Sequence, residues 1–490
     1  MTDQQDTPYA DAVKAFAQKH VTRMSTPGHQ VSHQAHPDLI EFFGQDVMEL
    51  DVMPLVTGID QGAYPTPYDE ALLLAAQAWG ARRTWFLTNG ASQGNLTACV
   101  ALASFGTTGD SSGTLVVQRS VHSSVVDGLA LSGLDVEFVF PSLDEALGIA
   151  NGVTPEALDT AIGNAHNPVA AYVVTPSYFG ACADVAGLAE VAHRHGIPLI
   201  VDEAWGAHFG FHRGYPINAI RLGADVAISS THKLGGSLGQ SAMLHLAEGP
   251  YADDLEPLLD RAFKSMQSTS ASSLLLASLD LARHSLVTQD PRVIERSLEA
   301  IGNIRQEITR RGRFEDVGPA LMRYPDVIGL DPMRISINTA IGGISGHEAR
   351  SILFNDYGII CEMATHSTLV LLIGSGVVPY VAEIVQALHS LPNRYTIENH
   401  ALTLPRPGQR WTSVRDAYFA PTEVISAENS IGRVSADSVA AYPPGIPNLL
   451  PGELITFETV AFLQATIKQP FGHVRGGSST DMSTFRVVKD

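Results

Sequence analysis

At 490 residues the chain exceeds what one ordinary hydrophobic core organises, so two or three domains are expected. A formal net charge of −20, with no basic run and no basic patch interleaved with aromatics, argues against nucleic acid as a partner. Three scattered cysteines, Cys99, Cys182 and Cys361, exclude a disulfide framework and a CxxC metal site and point to a reducing compartment.

The N-terminal Met-Thr-Asp-Gln-Gln-Asp is polar and acidic, without the pattern of a signal peptide. The longest apolar run, Thr368 to Val381, is broken by Gly374, Gly376 and Pro379 and is too short to span a bilayer. A cytoplasmic protein with no membrane contact is expected.

Residues 8–21 carry loose helical periodicity through Tyr9, Val13, Phe16 and Ala17, then break at Ser25-Thr-Pro-Gly-His-Gln30, which reads as an arm leading into a tight turn. His29, His33 and His36 straddle turn residues with no carboxylate in register, so no metal is expected. A helix is predicted from Tyr68 to Trp79, followed by a strand from Arg83 to Thr88. Asn89-Gly-Ala-Ser-Gln-Gly-Asn95 then opens an apolar helix from Leu96 to about Ser104. Strand, glycine turn, hydroxyl and helix N-terminus in that order form an anion cup, because free N–H groups and the positive end of the helix dipole converge. The sequence is neither GxGxxG nor Walker, so a single phosphate suits it better than a dinucleotide or a nucleoside triphosphate.

The predicted strand Thr114 to Gln118 ends in Arg119-Ser-Val-His-Ser-Ser124, which puts His122 where open α/β sheets place ligands. Val169 to Thr175 reads as another strand, and Asp184 caps a helix that Gly196 terminates. An apolar strand, Ile197-Pro-Leu-Ile-Val-Asp-Glu-Ala204, follows and ends in Asp202. The next strand, Val226 to Ser229, delivers Lys233 into the glycine-rich turn Ser230-Thr-His-Lys-Leu-Gly-Gly-Ser237. A bare ammonium after a buried strand is costly unless it is paired, neutral or covalently used. The covalent use that fits is a Schiff base to pyridoxal 5′-phosphate, with a carboxylate for the pyridine nitrogen. Asp202 precedes Lys233 by 31 residues, about one strand–helix–strand unit. The alternation from 83 to 245 predicts a doubly wound, mainly parallel α/β sheet with its candidate groups at strand ends.

Beyond Gln267 the hydroxyl cluster Ser268-Thr-Ser-Ala-Ser-Ser273 caps a helix from Leu274 to about Val287, and an amphipathic helix follows from Val293 to Arg311. Residues 334–391 alternate short strands with helices, as in a small α/β domain. A polar, proline-containing linker runs from Pro392 through Pro407. Ala441-Tyr-Pro-Pro-Gly-Ile-Pro-Asn-Leu-Leu-Pro-Gly-Glu453 reads as a proline-stiffened loop that presents a carboxylate.

Taken together these motifs resemble the bacterial ornithine/lysine/arginine decarboxylases of the pyridoxal-phosphate fold type I (aspartate aminotransferase-like) class. The resemblance is closest to the short biosynthetic arginine decarboxylases that lack an N-terminal wing domain. It runs from about Thr26 to Val488 through Thr26-Pro-Gly-His29, Pro176-Ser-Tyr-Phe-Gly180, the Asp202 strand, the Lys233 turn, Leu274-Leu-Leu-Ala-Ser-Leu-Asp280, Arg415-Asp-Ala-Tyr418, Tyr442-Pro-Pro-Gly-Ile-Pro447 and Pro451-Gly-Glu453.

The resemblance implies an N-terminal arm (1–45), a cofactor-binding large domain (46–285), a small α/β domain (286–395) and a C-terminal α+β domain (396–490). It implies that Lys233 carries the cofactor, that Asp202 holds the pyridinium, and that His122 and Ala204 pack the two faces of its ring. Ser92, the amides of Ala91 and Gln93, Ser230 and His232 would hold the phosphate. Lys233 or His232 would return the proton. Ser268 and Thr269 would reach a partner subunit's phosphate, which implies a homodimer or a multiple of dimers. Glu453 is named as the electrostatic guide for a cationic substrate side chain.

Gln30, Trp205 and Ile59-Asp-Gln-Gly62 depart from common family residues, and Trp205 and the last stretch bear on substrate choice. The expected reaction is decarboxylation of a basic amino acid, arginine to agmatine in polyamine biosynthesis. Lysine or ornithine as substrate remains open, as does another fold type I reaction such as transamination.

Overall fold

The structure, a computed structural model, describes residues 3–19, 21–106, 112–394, 405–442, 446–468 and 473–489. Its centre is a seven-stranded sheet. The strands are β1 (Arg83–Leu87), β2 (Thr114–Gln118), β3 (Asp135–Val139), β4 (Pro168–Val174), β5 (Leu199–Asp202), β6 (Val226–Ser229) and β7 (Ala242–Leu246). Their order is β1-β7-β6-β5-β4-β2-β3. From β6 through β3 every neighbouring pair is parallel, and β7 alone runs antiparallel, against both β1 and β6. The central strands are buried along their whole length, which is why they read as unbroken apolar runs rather than as alternating ones.

Helices cover both faces. Helices α1 (Gly90–Leu102) and α2 (Ser123–Ser132) share a core with Leu115, Val117, Ile200 and Ile228. On the other face α3 (Pro155–Asn164) and α4 (Val185–Arg194) pack on Val116, Val173, Val201 and Ala227. This is the doubly wound arrangement the sequence predicts.

Helix α1 begins at Gly90, six residues before the expected Leu96, so the glycine stretch is its first turn and a half rather than a separate loop. A Cβ on Gly94 would lie 2.7 Å from Ile228 Cγ2 and 3.0 Å from Leu87 Cδ1. Glycine there lets the helix lie close on β1 and β6, and that packing outweighs its poor helix propensity.

A second, four-stranded antiparallel sheet joins Glu315–Asp316, Arg334–Asn338, Thr368–Leu372 and Met363–Ala364 in that order. The helix Pro291–Arg311, capped by Asp290, buries Ile294, Ile301, Ile304 and Ile308 against Ile335, Ile337 and Leu369. Farther along, Thr422–Ser426 pairs with Thr484–Val488, and Val439–Tyr442 lies between Pro447–Leu449 and His473–Arg475. The N-terminal helix Pro8–Ala17 is tied to the body by Asp280, which accepts from the amides of Tyr9 (3.0 Å) and Ala10 (3.3 Å) and pairs with Arg283 at 2.7 Å. Part of the expected linker, residues 395–404, and residues 443–445 of the expected proline loop lie outside the described residues.

Candidate functional site

Parallel strands point their carboxyl ends to one edge of a sheet, and the site collects there. After β1 comes the N-terminus of α1, after β2 His122, at the end of β5 Asp202, and after β6 Lys233 on the short helix Thr231–Leu234. Asp202 and Lys233 come from adjacent strands, with Asp202 in register with Ile228.

The Asp202 carboxylate is buried. Oδ2 accepts from Asn95 Nδ2 and Oδ1 from the Ala204 amide, both at 3.0 Å. Asn95 also donates to Ser124 Oγ at 3.0 Å and accepts from Tyr172 Oη at 2.8 Å. Ser124 lies 2.8 Å from His122 Nδ1, and its amide donates to the same nitrogen at 3.3 Å. One network therefore runs from Tyr172 through Asn95 to both Asp202 and His122. Because Nδ1 of His122 accepts, the ring proton sits on Nε2. Burial pushes His122 below its ordinary value, Lys233 and Arg475 add to this and Asp202 opposes it, so the ring is neutral at neutral pH.

Lys233 is pushed from 10.5 to about 8, first by burial and further by Arg334, with Asp202 and Glu362 opposing. Its Nζ stands 3.7 Å from the centre of the Trp205 ring. Next to it His232 Nδ1 donates to the Ser241 carbonyl at 2.8 Å, so Nε2 is the ring nitrogen left for a ligand. In the cofactor-free protein, capture of an aldehyde by Lys233 should rise with pH through a midpoint near 8. A midpoint near 10.5, read from imine absorbance, would contradict this placement.

The anion cup is assembled from two segments. Helix α1 has no side-chain cap at Asn89, so its leading amides lack a partner within the helix. Gly90, at φ +71°, donates to the Gln240 carbonyl at 2.6 Å, and Gln240 Nε2 donates to Asn89 Oδ1 at 3.0 Å. The loop after Lys233 is thus laced to the start of α1. The Gln93 side chain is committed to Gln267 (2.5 Å) and to the Asn89 amide (3.1 Å), so only its backbone N–H can serve an anion. Ser92 is half-buried at the same turn, while Ala91 and Ser230 are buried. Thr231 Oγ1 is buried with no partner.

Ser268 and Thr269 are exposed on a turn after the helix Ala252–Met266, where Ser268 bonds Ser270 (3.1 Å). One expectation changes in the structure. Glu453 is not a free carboxylate at an entrance. It is buried and paired with Arg119 through Nη1–Oε1 at 2.5 Å and Nη2–Oε2 at 2.9 Å, and it accepts from the Leu450 amide at 2.9 Å. A carboxylate so engaged has no capacity left for a substrate cation, so the guiding role is withdrawn. Arg119 stacks on Phe138, and the pair fastens the C-terminal segment to the edge of the main sheet. Glu453→Gln should therefore cost about 3–5 kcal/mol of stability, read from urea unfolding, because it strands a buried guanidinium. The ratios of kcat/KM among arginine, lysine and ornithine should stay unchanged.

The residues missed in sequence are Asn95, Ser124, Tyr172, Arg334 and Glu362. Asn95 stands one α-helical turn past Ser92, a spacing that could have marked it. Arg334 comes from the second sheet and Glu362 from the bend just before its strand Met363–Ala364, and no local pattern ties them to Lys233.

The profile described as "Orn/Lys/Arg decarboxylase, major domain" matches residues 7–377, and the C-terminal domain profile of the same family matches 409–471. The chain belongs to the ornithine/lysine/arginine decarboxylase family. It is 30% identical to an arginine decarboxylase of Bacillus subtilis (strain 168) over 99% of both chains. It is 31% identical to one of Halalkalibacterium halodurans over 100% of this chain and 99% of that one. The structure of the constitutive lysine decarboxylase of Escherichia coli shares the fold with a TM-score of 0.79 at 21% identity, covering 99% of this chain and 82% of that one.

As a member of this family the chain is a pyridoxal-phosphate-dependent decarboxylase of fold type I. The donor set fits that cofactor: an uncapped helix N-terminus for a phosphate, a buried carboxylate for a pyridinium, and a lysine amine of lowered basicity for an aldehyde.

Proposed function

We propose that the chain converts L-arginine to agmatine and carbon dioxide, with Lys233 as the cofactor lysine. The observation that carries arginine is the full-length match to arginine decarboxylases at 30–31% identity, against 24% to the constitutive lysine decarboxylase of Escherichia coli. When bound, pyridoxal phosphate supplies an electron sink for the pair left behind by carbon dioxide.

The chain's residues do the rest. Asp202, held rigid by Asn95 and Ala204, would keep the cofactor's ring nitrogen protonated by ion pairing. His122, neutral and fixed by Ser124, would pack against the cofactor with Ala204 opposite it. The amides of Ala91 and Gln93, with Ser92, Ser230 and His232, would hold the phosphate. Lys233 or His232 returns a proton to the carbon that lost its carboxylate, and His232 Nε2 is free to relay it. Trp205 borders the substrate.

We read the chain as four units with boundaries near residues 45, 285 and 395, acting in the cytoplasm to supply polyamine synthesis. Among the described residues no helix is long and apolar enough to cross a membrane. The active form is read as a homodimer, in which exposed Ser268 and Thr269 complete the neighbour's phosphate site. Light scattering should give twice the chain mass or a multiple of it at assay concentration, and an active monomer would contradict the dimer.

The substrate is tested by giving the holoenzyme arginine, lysine and ornithine in parallel and separating the products. Agmatine as the dominant product supports arginine. Cadaverine or putrescine would move the assignment to lysine or ornithine, and a keto acid would remove the decarboxylase reading.

A further inference from the structure

Two cationic side chains meet one indole ring. Lys233 Nζ lies 3.7 Å and Arg334 Cζ 4.6 Å from the centre of Trp205. Arg334 opens a strand of the second sheet and is buried. Its Nη2 donates to the Trp205 carbonyl at 3.1 Å, Nη1 donates to the Ser177 carbonyl, and Nε faces Asp331 Oδ2 at 3.4 Å. Asp331, fully buried, meets His208 Nε2 at 3.0 Å and accepts from the Met333 amide at 3.0 Å. Burial alone would raise the Asp331 carboxyl, but His208 and Arg334 more than offset it, so Asp331 stays charged at neutral pH. A buried row thus runs from His208 through Asp331 and Arg334 to Trp205, and ends at Lys233.

A guanidinium in a site this dry is placed at a cost unless it has a task, and its fixed fork gives it a single position. The groups facing Lys233 come from every element around it: Asp202 at the end of β5, His122 after β2, Arg334 from the second sheet and Glu362 from the bend before the strand Met363–Ala364. Asp202 and Glu362 favour an ammonium. Arg334 is the cation set against them.

We propose that Arg334, anchored by Asp331 and His208, is a positioning residue for the reaction: it shares the Trp205 ring with the Lys233 amine, and its charge keeps that amine nucleophilic near neutral pH. This rests on the reading of Lys233 as the cofactor lysine. The two partners of the amine then act in opposite directions. The Trp205 face attracts a cation and favours the ammonium, whereas the Arg334 charge disfavours it. Removing Arg334 should raise the titration midpoint of Lys233, and removing Trp205 should lower it. A purely structural role for the row would weaken folding in both cases and would not produce shifts of opposite sign.

The test uses the full-length, cofactor-free protein and an amine-selective acylating reagent, with labelling of Lys233 followed against pH by peptide mass spectrometry. Its readout needs no substrate, so it can fail without touching the decarboxylase assignment. The Arg334→Gln/Asp331→Asn double variant removes the buried pair together and leaves no carboxylate unpaired. It should slow labelling near neutral pH about tenfold, the effect of a one-unit rise. Trp205→Leu should speed labelling roughly threefold. Arg334→Lys retains the charge and should stay within about twofold of wild type. Shifts of one sign in the first two variants would overturn the proposal, as would unchanged midpoints in folded protein. So would an Arg334→Lys shift as large as that of the double variant. If the double variant does not fold, as read by its melting transition, Arg334→Gln alone, in which Asp331 keeps its His208 and Met333 partners, takes its place in the opposed comparison with Trp205→Leu.

Discussion

Asp202→Asn should retain the fold and lose about a thousandfold or more in kcat, because the missing charge is the one that keeps the electron sink protonated. The side chain sits in a rigid polar frame, with Asn95 on one oxygen and the Ala204 amide on the other. Asparagine matches its shape and can still accept from Asn95 through the amide oxygen, so the loss is that of the charge and of the Ala204 amide bond, with the packing kept. The Tyr172–Asn95–Ser124–His122 network would remain. The check is steady-state release of carbon dioxide from purified variant with full cofactor content and an unchanged melting temperature. Activity within tenfold of wild type would remove Asp202 from the catalytic set.

Lys233→Ala should be the more severe change, on the order of 10⁴-fold or greater in kcat, since one amine both anchors the cofactor and is positioned to move a proton. The substitution opens space against the Trp205 ring, where the amine now lies 3.7 Å from its centre. A small primary amine added to the buffer should enter that space and restore part of the activity, with the restored rate rising with the concentration of free base. Wild-type turnover by Lys233→Ala would contradict the assignment. Rescue also separates lost chemistry from misfolding, because a collapsed site would not respond to added amine.

Much of the main sheet is legible in sequence because its parallel strands are buried on both faces and their apolar runs end in chemistry. The pattern is plain in Leu199–Asp202, which ends in a carboxylate, and in Val226–Ser229, which a lysine follows within one turn. The direction of β7 is not legible. Ala242–Leu246 is as apolar as its parallel neighbours, and only its antiparallel pairing with both β1 and β6 reveals that it runs the other way.

The start of α1 is hard to place from sequence because glycine is a poor helix former, and the compensating contact of Gly94 with Ile228 is made across the sheet. Glu453 misleads for a similar reason. A carboxylate after a Pro-Gly turn reads as presented to solvent, whereas its partner Arg119 lies 334 positions away in sequence. Arg334 and Glu362 are invisible as site residues because the second sheet brings them to Lys233 only through tertiary packing. What the chain announces locally is the cofactor's anchor points, and what it conceals are the groups that tune them.

The most direct measurement of the central claim is borohydride reduction of the holoenzyme followed by peptide mapping. The account predicts one pyridoxyl group per chain, on the peptide that contains Lys233, with loss of the visible cofactor absorbance and of agmatine formation in step. A reduced cofactor found on another lysine, or agmatine formation that survives complete reduction, would contradict it.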